Sequence, residues 1–262
     1  MRYPENGVRA VRDLRVLPIA ADRLLVIACD SLGGIGEKPH DAYRADAATC
    51  GHFAMRVPLL EVIASGATPV LAIDTLSVEA EPTGRRITAA MRELLAEVGL
   101  TDPAALTGST EENVPTVQTG IGVTVLGFAH PDHFRPGRAQ AGDTILLVGL
   151  PLSAPTHHLY PGHPGQVSLA EVRRIGEMPQ VHDILPVGSR GVGYELKELA
   201  ASAGLTAVLE PEITVDLAAS GGPASCVLVA CDDADGAVQE TVRAMRRDLP
   251  VSVVARLVEP AV

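Results

Sequence analysis

The residues with most chemistry to offer lie at positions 24–38, LLVIACDSLGGIGEK. An apolar run, LLVIAC, delivers the carboxylate of Asp30 into a loop of Gly33, Gly34, Ile35 and Gly36 that closes on Lys38. Glycines let a backbone turn sharply and bring its N–H groups against an anion. A carboxylate at the mouth can hold a divalent cation, and a lysine can meet phosphate as a point charge. The segment reads as a nucleotide or phosphate site. Two standard phosphate loops do not fit it. The pattern G-x-x-x-x-G-K-[ST] leads into a helix, whereas here Glu37 parts Gly36 from Lys38 and Pro39 follows. A residue before proline is pushed away from helical geometry. The pattern G-x-G-x-x-G has no third glycine in place after Gly34-Ile35-Gly36. A plain glycine-rich connection between strands is the competing reading.

A second cluster runs through Ser109, Thr110, Glu111, Glu112 and Asn113. Adjacent carboxylates with an amide can offer hard oxygen ligands to Mg²⁺, and the same residues equally suit a solvated turn with a helix cap. Glu61 sits among Leu59, Leu60, Val62 and Ile63, and Asp74 ends the run VLAID. A carboxylate in so apolar a setting must reach solvent, find a partner or serve a metal. Asp30, Glu61, Asp74 and Glu111/Glu112 are the acidic points that a site for metal-bound triphosphate would need. Other features carry less. His157, His158 and His163 lie in a proline-rich stretch that reads as an exposed loop. The loop 188–193, rich in glycine, is either a strand-to-helix turn or an anion contact at a helix start. The pairs Arg85-Arg86, Arg173-Arg174 and Arg246-Arg247 read as solvated helix faces.

These residues need elements to hold them. Short runs rich in Val, Ile and Leu and bounded by Gly, Pro or Asp predict strands at 14–20, 24–30, 70–78, 120–129, 144–149 and 226–231. Helical spacing predicts helices at 53–65, where Pro58 marks a kink or the true start, and at 84–98, 195–203 and 234–247. In the second helix Ile87, Met91, Leu94, Leu95 and Val98 form one stripe. A polar, proline-broken connection at 130–143 predicts two α+β halves, 1–133 and 134–262. The 47% hydrophobic content suffices for packed cores, and 21 basic against 32 acidic residues argues against a nucleic-acid partner. So does the absence of Trp, which leaves few platforms for base stacking. Cys29, Cys226 and Cys231 fall in or beside apolar runs and read as buried thiols, which suggests a cytoplasmic protein. No run approaches the roughly 20 apolar residues of a membrane span, and the N-terminus shows no signal region.

Taken in order, these segments resemble the superfamily of aminoimidazole ribonucleotide (AIR) synthase, which includes thiamine-monophosphate kinase, selenophosphate synthetase and a hydrogenase maturation factor. Asp30 with Gly34-Ile35-Gly36-Glu37-Lys38 matches the family's Asp-Gly-x-Gly-x-Lys loop. Residues 61–69, ending Gly66-Ala67-Thr68-Pro69, and then Asp74 match its helix and following strand. Glu61 stands where the family often has the acid of an Asn-Asp pair. Residues 108–115 match its Gly-Gly-Glu-Thr loop more loosely. The Gly142-Asp143 turn, the glycine-rich turn into 194–204, and Gly221-Gly222 before 226–230 match its second domain. The runs CDSLGGIGEKPHD, GATPVLAIDTLSVEAEPTG and LTGSTEENVPTVQTGIGVT look most like the alpha-ribazole kinase branch.

The resemblance implies a two-domain α+β, PurM-like fold. It implies an N-terminal α/β domain whose strands form a homodimer, a shortened C-terminal α+β domain, and use of ATP and Mg²⁺ on a small-molecule substrate. It implies Asp30, Glu61, Asp74 and Glu111 as metal ligands. Gly33, Gly34, Gly36, Lys38, Ser109, Thr110 and Asn113 would contact the nucleotide together with Asp30, and Asp74 or Glu112 would orient the acceptor. Cys29 lies inside a strand run, unlike the selenophosphate nucleophile beside its loop. The ending at 258–262 has no reactive cysteine of the hydrogenase-factor kind. The expected activity is alpha-ribazole phosphorylation. The alternatives are a thiamine-monophosphate-kinase-like enzyme, an AIR-synthase-like ligase or cyclase, and a non-catalytic nucleotide-binding protein.

Overall fold

The computed structural model describes residues 7–260. The charged N-terminal residues 1–6 and the last two residues of the 258–262 ending lie outside it. The chain forms two compact units: residues up to Val62 with Ala67–Pro131, and Ile63–Gly66 with the residues from Asp132 onward.

The first unit is built on β1 (Arg9–Val11), β2 (Leu14–Ala20), β3 (Arg23–Gly33), the short pair β4 (Ile35–Gly36) and β5 (Tyr43–Arg44), helix α1 (Ala47–Ala64), β6 (Thr68–Leu76), helix α2 (Arg85–Glu97), β7 (Leu106–Thr110) and β8 (Gly120–Ala129). Six strands pair in the order β1-β2-β3-β8-β6-β7. Neighbours are antiparallel except β6 and β7, which run parallel. Successive residues of a strand face opposite sides of a sheet. Leu24, Val26 and Ala28 of β3 and Ile121, Val123 and Val125 of β8 are buried on one face, and α1 packs there: a Cβ added to Gly127 would lie 2.5 Å from Val62 Cγ1. Helix α2 buries Ile87, Met91, Leu94 and Leu95 of the anticipated stripe. It meets α1 at Gly51, where a Cβ would sit 2.4 Å from the Ile87 carbonyl oxygen.

Three expectations need correction here. Helix α1 begins at Ala47, where Asp46 accepts the Thr49 N–H (3.0 Å) and hydroxyl (2.6 Å) as an N-cap. Pro58 therefore lies inside the helix and does not open it. Cys29 is exposed, because β3 alternates and an odd-numbered position points away from the helices. The run 70–78 becomes a strand two residues earlier, Thr68–Leu76.

The second unit holds β9 (Thr144–Val148), α3 (Leu169–Gly176), β10 (Val181–Pro186), α4 (Val192–Ser202), β11 (Thr206–Leu209), β12 (Val227–Cys231), α5 (Ala237–Met245) and β13 (Val251–Val258). Its sheet is antiparallel in the order β10-β12-β9-β13-β11. Ile145, Leu147, Leu185, Leu196, Leu199, Leu228, Val254 and Leu257 belong to one buried cluster. Among the described residues, no helix is long and apolar enough to cross a membrane.

Candidate active site

The backbone register brings two of the anticipated acids into one row. Asp30 of β3 pairs with Val123 of β8, and Val123 pairs on its other side with Asp74 of β6. Directly paired residues project to the same face of a sheet. Asp30, Val123 and Asp74 therefore share the helix-covered face, with the two acids separated by two strand spacings, about 10 Å between Cα atoms. Asp74 is 4% exposed, and burial pushes its carboxyl up to about 6 against the pull of the Arg92 guanidinium. Its neighbour on β7 is Gly108, where a Cβ would sit 2.2 Å from Asp74 Oδ1 and 2.3 Å from its carbonyl oxygen. The carboxylate occupies the space that a side chain at 108 would fill. Asp30 stands at the open end of the row. Burial raises its carboxyl too, with the Ser31 N–H pulling it down and Asp13 pushing it up.

The glycine loop folds around a residue the sequence reading overlooked. Asp41, 8% exposed, accepts the Lys38 N–H (2.8 Å), the Thr119 N–H (2.7 Å) and the Thr119 hydroxyl (2.8 Å). A buried carboxylate is tolerable when charge-assisted hydrogen bonds replace its water. Gly36 lies so close that a Cβ would be 2.3 Å from Thr119 Oγ1 and 2.6 Å from Asp41 Oδ2. Gly34 has φ +69° and accepts the Ala42 N–H through its carbonyl at 2.8 Å. Arg44 donates to the carbonyls of Glu37 (2.9 Å) and Lys38 (2.8 Å), and Glu37 pairs with Arg86 of α2 at 2.6 Å. Arg86 thus braces the loop and is not a merely solvated position. Arg85 pairs with Glu81 in the exposed way first expected.

The Lys38 ammonium is paired with Glu79, another residue absent from the sequence reading. Glu79 also accepts the Thr83 hydroxyl. Burial acts to raise its carboxyl, but the hydrogen bonds from Lys38 and Thr83 outweigh that and draw it down to about 2. Glu112 accepts the Ala80 N–H (2.6 Å) and the Thr110 hydroxyl (2.8 Å), so it ties the end of β7 to the turn before α2. Glu111 accepts the N–H groups of Asn113 (2.7 Å) and Val114 (3.1 Å), which lower its carboxyl. No helix follows: Ser109 and Thr110 belong to β7, and 111–114 is a turn. Thr110 shares the face of Asp74, whereas Ser109 pairs with Thr75 one step along the strand and faces the other side.

Glu61 does not join the row. Its neighbour Val62 packs at Gly127, four residues along β8 from Val123, about 13 Å at strand rise. Among the described residues, no three His, Cys, Asp or Glu side chains converge to hold a metal ion by themselves. In the second unit, His157 bonds Ser153 and His163 accepts the Gly165 N–H, as befits a self-contained loop. At the loop 188–193 the Gly193 N–H is taken by the Leu217 carbonyl at 2.8 Å, which makes it a strand-to-helix turn. Arg246 is another correction: it pairs with Glu171 at 2.8 Å and donates to the carbonyls of Pro164 and Gln166.

Residues 11–129 match the family model for the AIR synthase related protein, N-terminal domain. This stretch, from the end of β1 to the end of β8, is similar to the N-terminal domain of the AIR synthase-related proteins. Its fold is similar to that of thiamine-monophosphate kinase from Stenotrophomonas maltophilia, at 19% identity over 98% of this chain and 90% of that one, TM-score 0.62. AaThiL complexed with AMPPCP and TMP aligns at 16% identity, 95% and 85% coverage and TM-score 0.62. Hydrogenase maturation protein HypE in complex with ATP aligns at 16% identity, 90% and 77% coverage and TM-score 0.63. No curated protein matches the chain in sequence.

Within the first unit, the buried Asp74 carboxyl sets a pH signature. Its folded value of about 6 lies above the ordinary 3.8. Between those values the native state holds a proton that the unfolded chain releases, so this group's contribution to stability falls as pH rises through the window. Asp74→Asn should therefore gain stability relative to wild type as pH is raised from about 4 to about 6. Urea unfolding of the metal-free proteins at several pH values checks this. A difference that stays constant across the window would mean that the carboxyl is not buried as described.

Proposed function

We propose that the chain is an ATP-dependent phosphotransferase acting on a small hydroxylated acceptor, and that the acceptor is alpha-ribazole. The observation that carries this reading is the row of Asp30 and Asp74 beside a glycine loop that presents Lys38. Kinases and ATP-bound proteins among the similar folds support it. Resemblance of three sequence runs to alpha-ribazole kinases supplies the acceptor.

Magnesium would be held by Asp30 and Asp74. The site suits it: Gly108 leaves room for the Asp74 carboxylate, and Asp30 is exposed at the open end of the row. Magnesium is usually bound by one or two carboxylates with substrate phosphates completing its shell, so two acids without a third ligand are enough. When bound, the ion would neutralise charge on the phosphates. Lys38 would meet a phosphate oxygen, and the loop at Gly33, Gly34 and Gly36 would pass close to it. Phosphoryl transfer needs positioning and charge neutralisation more than a strong base. Glu112, spent on the Ala80 N–H and the Thr110 hydroxyl, then shapes the site and does not act on the acceptor. A cytoplasmic place of action goes with this reading.

Incubation with Mg-ATP and a panel including alpha-ribazole and thiamine monophosphate, read by mass spectrometry, tests it. The expected products are ADP and phosphorylated alpha-ribazole, and Asp30→Asn should lower turnover by about two orders of magnitude or more while circular dichroism is unchanged. Thiamine diphosphate, or a ring-closed product, would transfer the assignment to the sibling activities. Full activity in Asp30→Asn would overturn it.

We also propose that two copies pair through the sheet face turned away from α1 and α2. Leu17, Leu25, Ile27 and Leu126 are half-buried there, and Ile19 and Phe128 are exposed at 45% and 37%. Contiguous apolar surface of this kind marks an interaction site. Sedimentation should show a dimer at micromolar concentration and a monomer for Ile27→Asp. A monomeric wild type would refute the pairing.

A further inference from the structure

The loop that carries Lys38 is fastened shut from within. Its backbone is held by Asp41 and Thr119 on one side and by Arg44 on the other. Its two charged side chains both cross to the region where α2 begins: Glu37 reaches Arg86 in the first turn of the helix, and Lys38 reaches Glu79 ahead of it. The second crossing is the more enclosed, with the Lys38 side chain only 17% exposed and that of Glu79 32%. Glu79 is itself restrained. Its second oxygen takes the Thr83 hydroxyl. Its carbonyl accepts the Gly84 N–H at 2.9 Å. The next residue, Ala80, is anchored by Glu112. A carboxylate oxygen on an ammonium copies what a phosphate oxygen would offer the same ammonium.

We propose that Glu79 is an internal stand-in for phosphate that holds Lys38 until a polyphosphate displaces it, and so sets the affinity of the site for nucleotide. The inference rests on the nucleotide-site reading above and adds a residue and a role to it. Lys38 carries one ammonium, and it is already paired with Glu79; an entering phosphate must outbid a partner fixed in place. Exchange of one anion for another costs the difference between two charge-assisted bonds, not the full strength of either. Thr83 and Glu112 act through Glu79 as positioning residues, since they fix where its carboxylate stands.

The test is equilibrium binding of Mg-ATP by calorimetry to wild type, Glu79→Gln, Lys38→Ala and the double variant. Glu79→Gln keeps the shape and removes the competing charge, and its Kd should fall about five- to tenfold. The gain should vanish when Lys38 is already alanine, because no ammonium remains to be released. Thr83→Val should shift Kd in the same direction by less, which keeps the idea testable if Glu79→Gln does not fold. Weaker binding by Glu79→Gln would show that Glu79 orients Lys38 for the phosphate and does not compete with it, which overturns the proposal. An equal gain in the Lys38→Ala background would overturn it too, because it would reveal a general field effect of removing an acid. Absence of binding in wild type and every variant would instead bring down the nucleotide-site reading, and this inference with it.

Discussion

One buried carboxylate organises the candidate site. Asp41 gathers the Lys38 N–H and both donors of Thr119, and Thr119 directly precedes β8. The loop is thereby fixed to the strand whose Val123 stands between Asp30 and Asp74. A desolvated carboxylate is costly unless its lone pairs are filled, so the loop conformation is the one that fills them. Gly36 is required at the closest point, because any side chain there would displace the Asp41–Thr119 contact. The loop's glycines therefore answer first to the internal closure of the chain, and the position of Lys38 is a consequence of it.

The acids of the site are held by opposite means. Asp74 is kept close to a protonated state by burial and given space by Gly108, which preserves a carboxyl that is not consumed by local hydrogen bonds. Glu79, Glu111 and Glu112 are each spent on named donors. That division separates the groups able to take a ligand from those that shape the walls. Among the described residues no ready-made metal cage forms, and the proposed function does not need one: magnesium with nucleotide can be held by two open carboxylates and an anion.

Much of the fold was legible. Strand 120–129 is as anticipated, and the α2 stripe is buried as the spacing predicts. Elements without a clean pattern were missed. The strand Val181–Pro186 is interrupted by His182 and Asp183, Leu106–Thr110 looks like a polar turn, and Leu169–Gly176 is a helix of only two turns. At the site, the pairing of Asp30 and Asp74 with one residue of β8 depends on sheet register, which a single sequence does not reveal. Glu61 looked equivalent to them because its apolar surroundings are similar, yet it sits near the other end of the same sheet. Asp41 and Glu79 were passed over because their partners lie 78 and 41 residues away. A sequence clue did exist for Asp41: an acid three residues after Lys38 is in reach of the loop's own N–H groups.

Under the proposed function, Asp30 and Asp74 together receive a metal–nucleotide complex and Glu61 does not. Paramagnetic resonance of Mn²⁺ titrated with a non-hydrolysable ATP analogue tests it directly, because free and bound Mn²⁺ are read separately. Bound Mn²⁺ should require the nucleotide, should be lost in Asp30→Asn and Asp74→Asn, and should persist in Glu61→Gln. Undiminished binding in Asp74→Asn, or loss in Glu61→Gln with a folded protein, would show that other residues hold the metal.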